Sequence, residues 1–286
     1  MKQRQLGPDG PQVSAIGLGG MYLSVTGRPD EAQAIRAVHA ALDAGVTFID
    51  TADVYCLDDS DIGHNERLIA KALQGRSESV IVATKGGLLR QPGGAWTRDA
   101  SPEHLTRACE QSLAALGVEA IDLYQLHAPD PKVPFLESVG AIARLREAGK
   151  VRRVGLSNVD AQEITEAARI VPIASVQNRW NPGHRHPEED GVLAACEAAG
   201  IAFLPYSPFG GASGAKSLGE MKGLAAEALR RGVSSHRLVL AWMLAKSPVV
   251  IPIPGVRREE TARDSAAAAD LVLGADEAAQ IERAFA

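Results

Sequence analysis

The chain has 286 residues, a formal net charge of −5 and 23% charged residues. Acids and bases are mixed along it, so there is no basic footprint for nucleic acid, and no apolar run reaches the roughly 18 residues that a membrane span needs. The three cysteines, Cys56, Cys109 and Cys196, are odd in number and widely spaced; they form neither a disulfide framework nor a zinc pattern and fit a reducing cytosol.

In chain order, residues 1–10 are polar, carry no signal-peptide core and read as a hairpin or arm turning at Pro8-Asp9-Gly10. Residues 13–20 form an apolar run ending Gly-Leu-Gly-Gly, which predicts a strand. Residues 29–45 have helical spacing at Ala34, Val38, Ala41 and Leu42, with a glycine stop. Strands are then predicted over 47–50, 80–84, 121–127, 151–157, 173–177, 201–206 and 249–254. Helices are predicted over 65–75, 102–117, 134–149, 161–170, 187–200, 223–232, 235–246, 259–273 and 275–286.

The strands are short and apolar with little alternation, as in parallel strands buried on both faces. Eight β-then-α units predict an α/β chain closed into a (β/α)8 TIM barrel, with an N-terminal β-hairpin and a C-terminal helix. An open doubly wound sheet is the alternative. No linker-like tract divides the chain, so residues 1–286 read as a single domain.

A barrel of this kind carries its site at the C-terminal strand ends. There the sequence sets Gly20 and Met21, then Asp50 with Tyr55 on the following loop, Lys85, His127, Ser157-Asn158, Gln177, Tyr206-Ser207 and Gly255 to Arg258. A lysine buried at a strand end needs an anion, and Asp50 on the neighbouring strand supplies one. A cation beside a tyrosine hydroxyl favours the phenolate, which is expected to make Tyr55 a usable proton donor, with His127 holding a carbonyl oxygen.

The segments FIDTADVY, ATKGG, YQLHAPD, VGLSN, SVQNRWN, LPYSPFG and IPIPGVRR, in that order and across nearly the whole chain, resemble the aldo-keto reductase superfamily. The resemblance implies a catalytic tetrad of Asp50, Tyr55, Lys85 and His127 and a reversible hydride transfer between NADPH (NADP+) and an aldehyde or ketone. It further implies cofactor contacts at Gly20, Asp50, Ser157, Asn158 and Gln177. Tyr206 would stack on the nicotinamide, Ser207, Phe209 and Gly210 would follow the pyrophosphate, and Gly255, Arg257, Thr261 and Asp264 would meet the adenosine end. Arg257 suits a 2′-phosphate because guanidinium offers paired donors. Met21, with Tyr55 and His127, would line the substrate end. Trp96, in a long loop over residues 90–100, reads equally as a lining residue of that pocket or as a pin for the loop. The chain departs from the family pattern in Cys56 after the tyrosine, in Met21, and in Asp264-Ser265.

Other signals are discounted. Residues 210–217 nearly spell a phosphate loop, but Ala215 stands where glycine must precede the lysine, so the segment reads as a mobile loop over the cofactor. His184 and His186 lack further ligands, and no metal site is expected. The partner expected is a small carbonyl or alcohol, with no nucleic acid and no membrane, on a cytoplasmic monomer or weak homo-oligomer. A cofactor-binding, redox-sensing interaction subunit with little turnover is the alternative.

Overall fold

Why the apolar runs become strands and not helices is visible in what surrounds them: each is only a few residues long, and five of them follow a helix that stops at a glycine, Gly45, Gly75, Gly117, Gly149 or Gly200. In the computed structural model, which describes residues 1–285, seven of them pair in parallel. They are β1 (Leu18–Gly19), β2 (Phe48–Asp50), β3 (Ile81–Gly86), β4 (Leu123–Leu126), β5 (Val154–Ser157), β6 (Ile173–Gln177) and β7 (Ala202–Phe203), adjacent in chain order. The eighth run forms no regular ladder. Its backbone nonetheless joins both edges: Ile251 N–H donates to Phe203 O at 2.8 Å, and Gly19 N–H donates to Pro254 O at 2.9 Å. Pro252 and Pro254 have no N–H to give, which is why the closure consists of isolated bridges. The sheet is thus a closed barrel, as the sequence predicts.

Leu6, Phe48, Ala83, Leu123, Leu204, Ile251 and Ile253 fill one cluster from several strands and the N-terminal hairpin. Larger apolar clusters join the helices to the sheet. The hairpin pairs Gln3–Gln5 with Gln12–Ser14. Its Arg4 guanidinium donates to the carbonyls of Leu244, Ser247 and Val250, so the hairpin is tied to the end of the helix Ser235–Lys246.

Several predicted boundaries move. The run 13–20 splits, because Gln12–Ser14 belongs to the hairpin and only Leu18–Gly19 to the barrel. The helix expected over 187–200 becomes His186–Glu189 and Val192–Ala199, separated at Gly191, whose φ of 85° no helix accepts. Residues 90–100 are a second hairpin, Leu88–Arg90 against Trp96–Arg98, turning through Pro92-Gly93-Gly94. Residues 210–217 are not a loop: Gly211–Ser217 is helical, with His236 Nε2 2.8 Å from Ala215 O. No helix among the described residues is long and apolar enough to cross a membrane.

Candidate active site

Parallel register sets the first pair. Asp50 ends β2 level with Ala83 on β3, and Lys85 lies two residues further along that strand, on the same face. A small alanine beside the acid leaves the lysine side chain room to fold back. Its Nζ lies 2.7 Å from Asp50 Oδ2, 2.9 Å from Thr51 O and 2.9 Å from Tyr55 Oη. An ammonium has three donors, and all three are used. The lysine is 0% exposed, Asp50 2%, Tyr55 6% and His127 7%, so the expected quartet converges in a space almost closed to water.

Asp50 is held from the other side as well. Its Oδ1 accepts from Gln177 Nε2 at 2.8 Å and from Gln125 Nε2 at 3.2 Å. Gln125 faces Gly155 on β5, where any Cβ would fall 2.8 Å from Gln125 Cγ and 2.3 Å from Ser175 Oγ. The glycine makes room for the two amides to reach the acid. Gln125 is a site residue that the sequence reading passed over. Its signal was present, a polar residue one turn of the pleat before His127 in an otherwise apolar strand.

Burial depresses the Lys85 pKa below its ordinary 10.5, with Asp50 opposing. Tyr55 moves the other way from expectation. Burial first, then Asp50, Tyr206 and Asp53, raise its hydroxyl well above the ordinary 10. In the resting site, then, the hydroxyl keeps its proton, because desolvation disfavours the phenolate. His127 is pushed well below 6.5 by burial and by Lys85, which keeps the imidazole neutral. Its ring stands edge-on to Tyr55 with centroids 5.7 Å apart, and its buried Nδ1 has no partner.

Beyond these four, Asn158 and Ser207 adopt left-handed φ of 59° and 50° at strand ends, a strain found where a site dictates the backbone. The Asn158 amide is already committed. Nδ2 donates to His127 O at 2.9 Å and to Ser157 Oγ at 3.1 Å, while Oδ1 accepts from Tyr206 Oη at 2.9 Å. Gln177 likewise spends its Nε2 on Asp50.

A cavity of about 650 Å³ opens above this floor. Of the residues predicted to touch cofactor or substrate, Met21, Asp50, Tyr55, Trp96, His127, Ser157, Asn158, Gln177, Tyr206, Ser207, Phe209, Gly255, Arg257 and Thr261 all line it. Lys85 lies beneath the lining. Three others fall outside it. Gly20 packs behind Asp50, giving its N–H to Asp50 O. Gly210 precedes the helix Gly211–Ser217 in a left-handed turn. Asp264 accepts from Ser234 Oγ at 2.5 Å and pairs with Arg237 at 2.7 Å, joining two helices beside the cavity.

Trp96 stands on the second hairpin at one mouth of the cavity, 43% exposed, with the Arg90 guanidinium 4.3 Å from its ring centroid. Arg90 also donates to the carbonyls of Cys56, Leu57 and Gly94. It therefore staples this hairpin to the loop after Tyr55. Cys56, in the same loop, is buried and its thiol is pushed up to about 11. At the opposite end, Arg257 has a buried Nε without a partner and makes no ion pair among the described residues.

The profile of the Aldo/keto reductase family matches residues 15–286. An uncharacterized oxidoreductase of Schizosaccharomyces pombe is 36% identical over 274 residues, covering 94% of this chain and 86% of that one. Among solved structures, an aldo-keto reductase from Klebsiella pneumoniae in complex with NADPH superposes with a TM-score of 0.83 at 29% identity, over 100% of this chain and 96% of that one. A glycerol dehydrogenase from Gluconobacter oxydans gives 0.82 at 28%, over 99% and 94%.

Proposed function

The chain belongs to the aldo/keto reductase family, and from that premise we propose that it reduces an aldehyde or ketone to the alcohol with NADPH. One observation carries the mechanism: Lys85 donates to Tyr55 Oη while its two other protons go to Asp50 and Thr51. The tyrosine oxygen is thus an acceptor toward the lysine, and its own proton is left for the cavity.

The residues present fit a nicotinamide dinucleotide. The cavity runs from Trp96 to Arg257, the Arg257 Nε is unpaired, and Gly255 and Gly211 leave its wall without side chains. Ser157, Asn158 and Gln177 would hold the carboxamide, with Asn158 exchanging its bond to Tyr206 for it, and Tyr206 would lie against the ring. Ser207 and Phe209 would follow the diphosphate. Arg257 and Thr261 would meet the 2′-phosphate end. When bound, the reduced nicotinamide supplies a hydride to the carbonyl carbon.

The chain's own residues then manage the oxygen. Tyr55 and His127 present a hydroxyl and a neutral imidazole to the carbonyl oxygen. As negative charge grows there, Tyr55 gives up its proton, and the phenolate left behind sits 2.9 Å from the Lys85 ammonium. Asp50, fixed by Gln125 and Gln177, holds that ammonium in place. The high resting pKa of Tyr55 keeps the proton on the enzyme until the carbonyl oxygen demands it. The related proteins bear the names of reductases, dehydrogenases and oxidoreductases, and the sensing-subunit alternative draws support from none of these observations.

The test is NADPH oxidation with a panel of aldehydes and ketones, for wild type and Tyr55→Phe. Turnover in the wild type and its loss in the variant support the reading; turnover retained without the hydroxyl overturns it.

A further inference from the structure

Tyr22 has no place in the chemistry above, yet it is built into the cavity wall on three sides. It sits in the short turn Met21–Leu23 that follows β1. Its ring packs so closely on Gly255 that a Cβ there would fall 2.4 Å from Cδ2. Its hydroxyl lies 3.9 Å from where a Cβ on Gly211 would stand. Its face carries the Arg257 guanidinium, whose Cζ is 5.1 Å from the ring centroid.

Arg257 depends on that contact. The Arg257 carbonyl is anchored by Gln33 Nε2 at 3.0 Å, but the guanidinium has no acid to hold it among the described residues, and its Nε is unpaired. Gly27, at φ 78°, passes close by: an added Cβ would come 3.7 Å from Nη2. A side chain as long as arginine loses about 2 kcal/mol of rotamer freedom when fixed. A ring that fixes it in advance removes that cost from ligand binding. Arg258 also borders the cavity but stacks on no ring; it is exposed and caps the helix Glu259–Ala266.

We propose that Tyr22 is a positioning residue for cofactor choice: its ring holds Arg257 aimed into the cavity, so that the chain prefers a dinucleotide bearing a 2′-phosphate over one bearing a free 2′-hydroxyl. The inference rests on the cofactor reading given above and assigns the discrimination to a stacked pair in place of a lone cation.

The experiment is calorimetric titration of NADPH and of NADH into wild type, Tyr22→Leu, Tyr22→Phe, Arg257→Ala and the double variant Tyr22→Leu/Arg257→Ala. No substrate is present, so the readout is binding. The expected result is that Tyr22→Leu weakens NADPH roughly two- to fivefold, the size of one exposed cation–π contact, and leaves NADH unchanged. Tyr22→Phe should match wild type. In the Arg257→Ala background Tyr22→Leu should change nothing further. Equal losses for both cofactors, no loss at all, or a Tyr22→Phe variant as weak as Tyr22→Leu would each overturn the stacking role. Wild type that binds neither cofactor would overturn the cofactor reading and this inference with it, whereas wild type that prefers NADPH with an insensitive Tyr22 overturns only the inference. Should Tyr22→Leu not fold, Tyr22→Met reads the same ratio.

Discussion

Lys85 Nζ lies 2.9 Å from Tyr55 Oη and is the donor in that bond. With Asp50 and Thr51 taking its other two protons, the Tyr55 proton is left for the cavity, and the proposed mechanism sends it to the carbonyl oxygen. Tyr55→Phe removes the proton and little else. Turnover should fall by about 10²- to 10⁴-fold, the range for losing a general acid, with NADPH affinity within about twofold of wild type. Steady-state rates and a binding titration check both halves.

The buried ion pair sets up a second test. Lys85→Met leaves the Asp50 carboxylate enclosed with only two amides, and breaking a buried pair costs about 3–5 kcal/mol. Denaturant unfolding should show that loss. The double variant Asp50→Asn/Lys85→Met should recover most of the stability and none of the activity. A double variant as unstable as the single one would mean that the pair itself, and not the stranded charge, carries the stability.

How much of this was legible beforehand depends on the range of the interaction. Asp50, Tyr55, Lys85 and His127 could be placed because each follows a short apolar run, and a parallel barrel sends every such terminus to one rim. The Gln125 contact could not be placed, because it needs the register of β4 against β5 and the missing side chain of Gly155. The upward shift of Tyr55 escaped for a related reason. Sequence shows a neighbouring cation but not the depth of burial that raises the hydroxyl's pKa. The hairpin carrying Trp96 was within reach, since Pro-Gly-Gly between two short runs is a turn signal. The partners of Asp264 could not be read either, because motif position says nothing of Ser234 and Arg237, which arrive from a different helix.

Gln125→Leu removes one of the two amides on Asp50 Oδ1. A hydrogen bond to a charged group contributes about 1.5–3 kcal/mol, and at 3.2 Å this one should fall at the lower end. The variant should unfold at correspondingly lower denaturant. It should lose more in kcal/mol of kcat than of NADPH binding, because in the proposed mechanism Asp50 acts on Tyr55 through Lys85. Losses confined to stability would show that Gln177 alone suffices to orient the acid.

The Arg90 staple predicts an effect on substrate and not on cofactor. Arg90→Leu deprives the carbonyls of Cys56, Leu57 and Gly94 of their donor and takes the cation from beneath Trp96. With the hairpin loosened, KM for bulky aromatic carbonyls should rise several-fold, roughly the weight of one cation–π contact plus one bond. Small carbonyls that do not reach Trp96 should be unaffected, and NADPH affinity should hold. A uniform rise across substrate sizes would place Arg90 in general loop stability.

The two pKa shifts flanking the carbonyl site combine into a statement about pH. Tyr55 serves reduction while it holds its proton, below its pKa, and that pKa is raised above 10, so its working range extends upward. His127 serves while neutral, above its pKa, and that pKa is lowered below 6.5, so its range extends downward. Carbonyl reduction at saturating NADPH should therefore show kcat/KM flat from about pH 6.5 to 10, with no inflection at the ordinary histidine or tyrosine values. Burial is the leading cause of both shifts, so a change that admits water should narrow the plateau from both ends at once. Trp96→Ala, which opens the mouth of the cavity, is such a change. Its profile should acquire an alkaline limb below that of wild type and an acid limb above it. A plateau that narrows on one side only would assign the shift on the other side to a neighbouring charge, Asp50 for Tyr55 or Lys85 for His127, in place of desolvation.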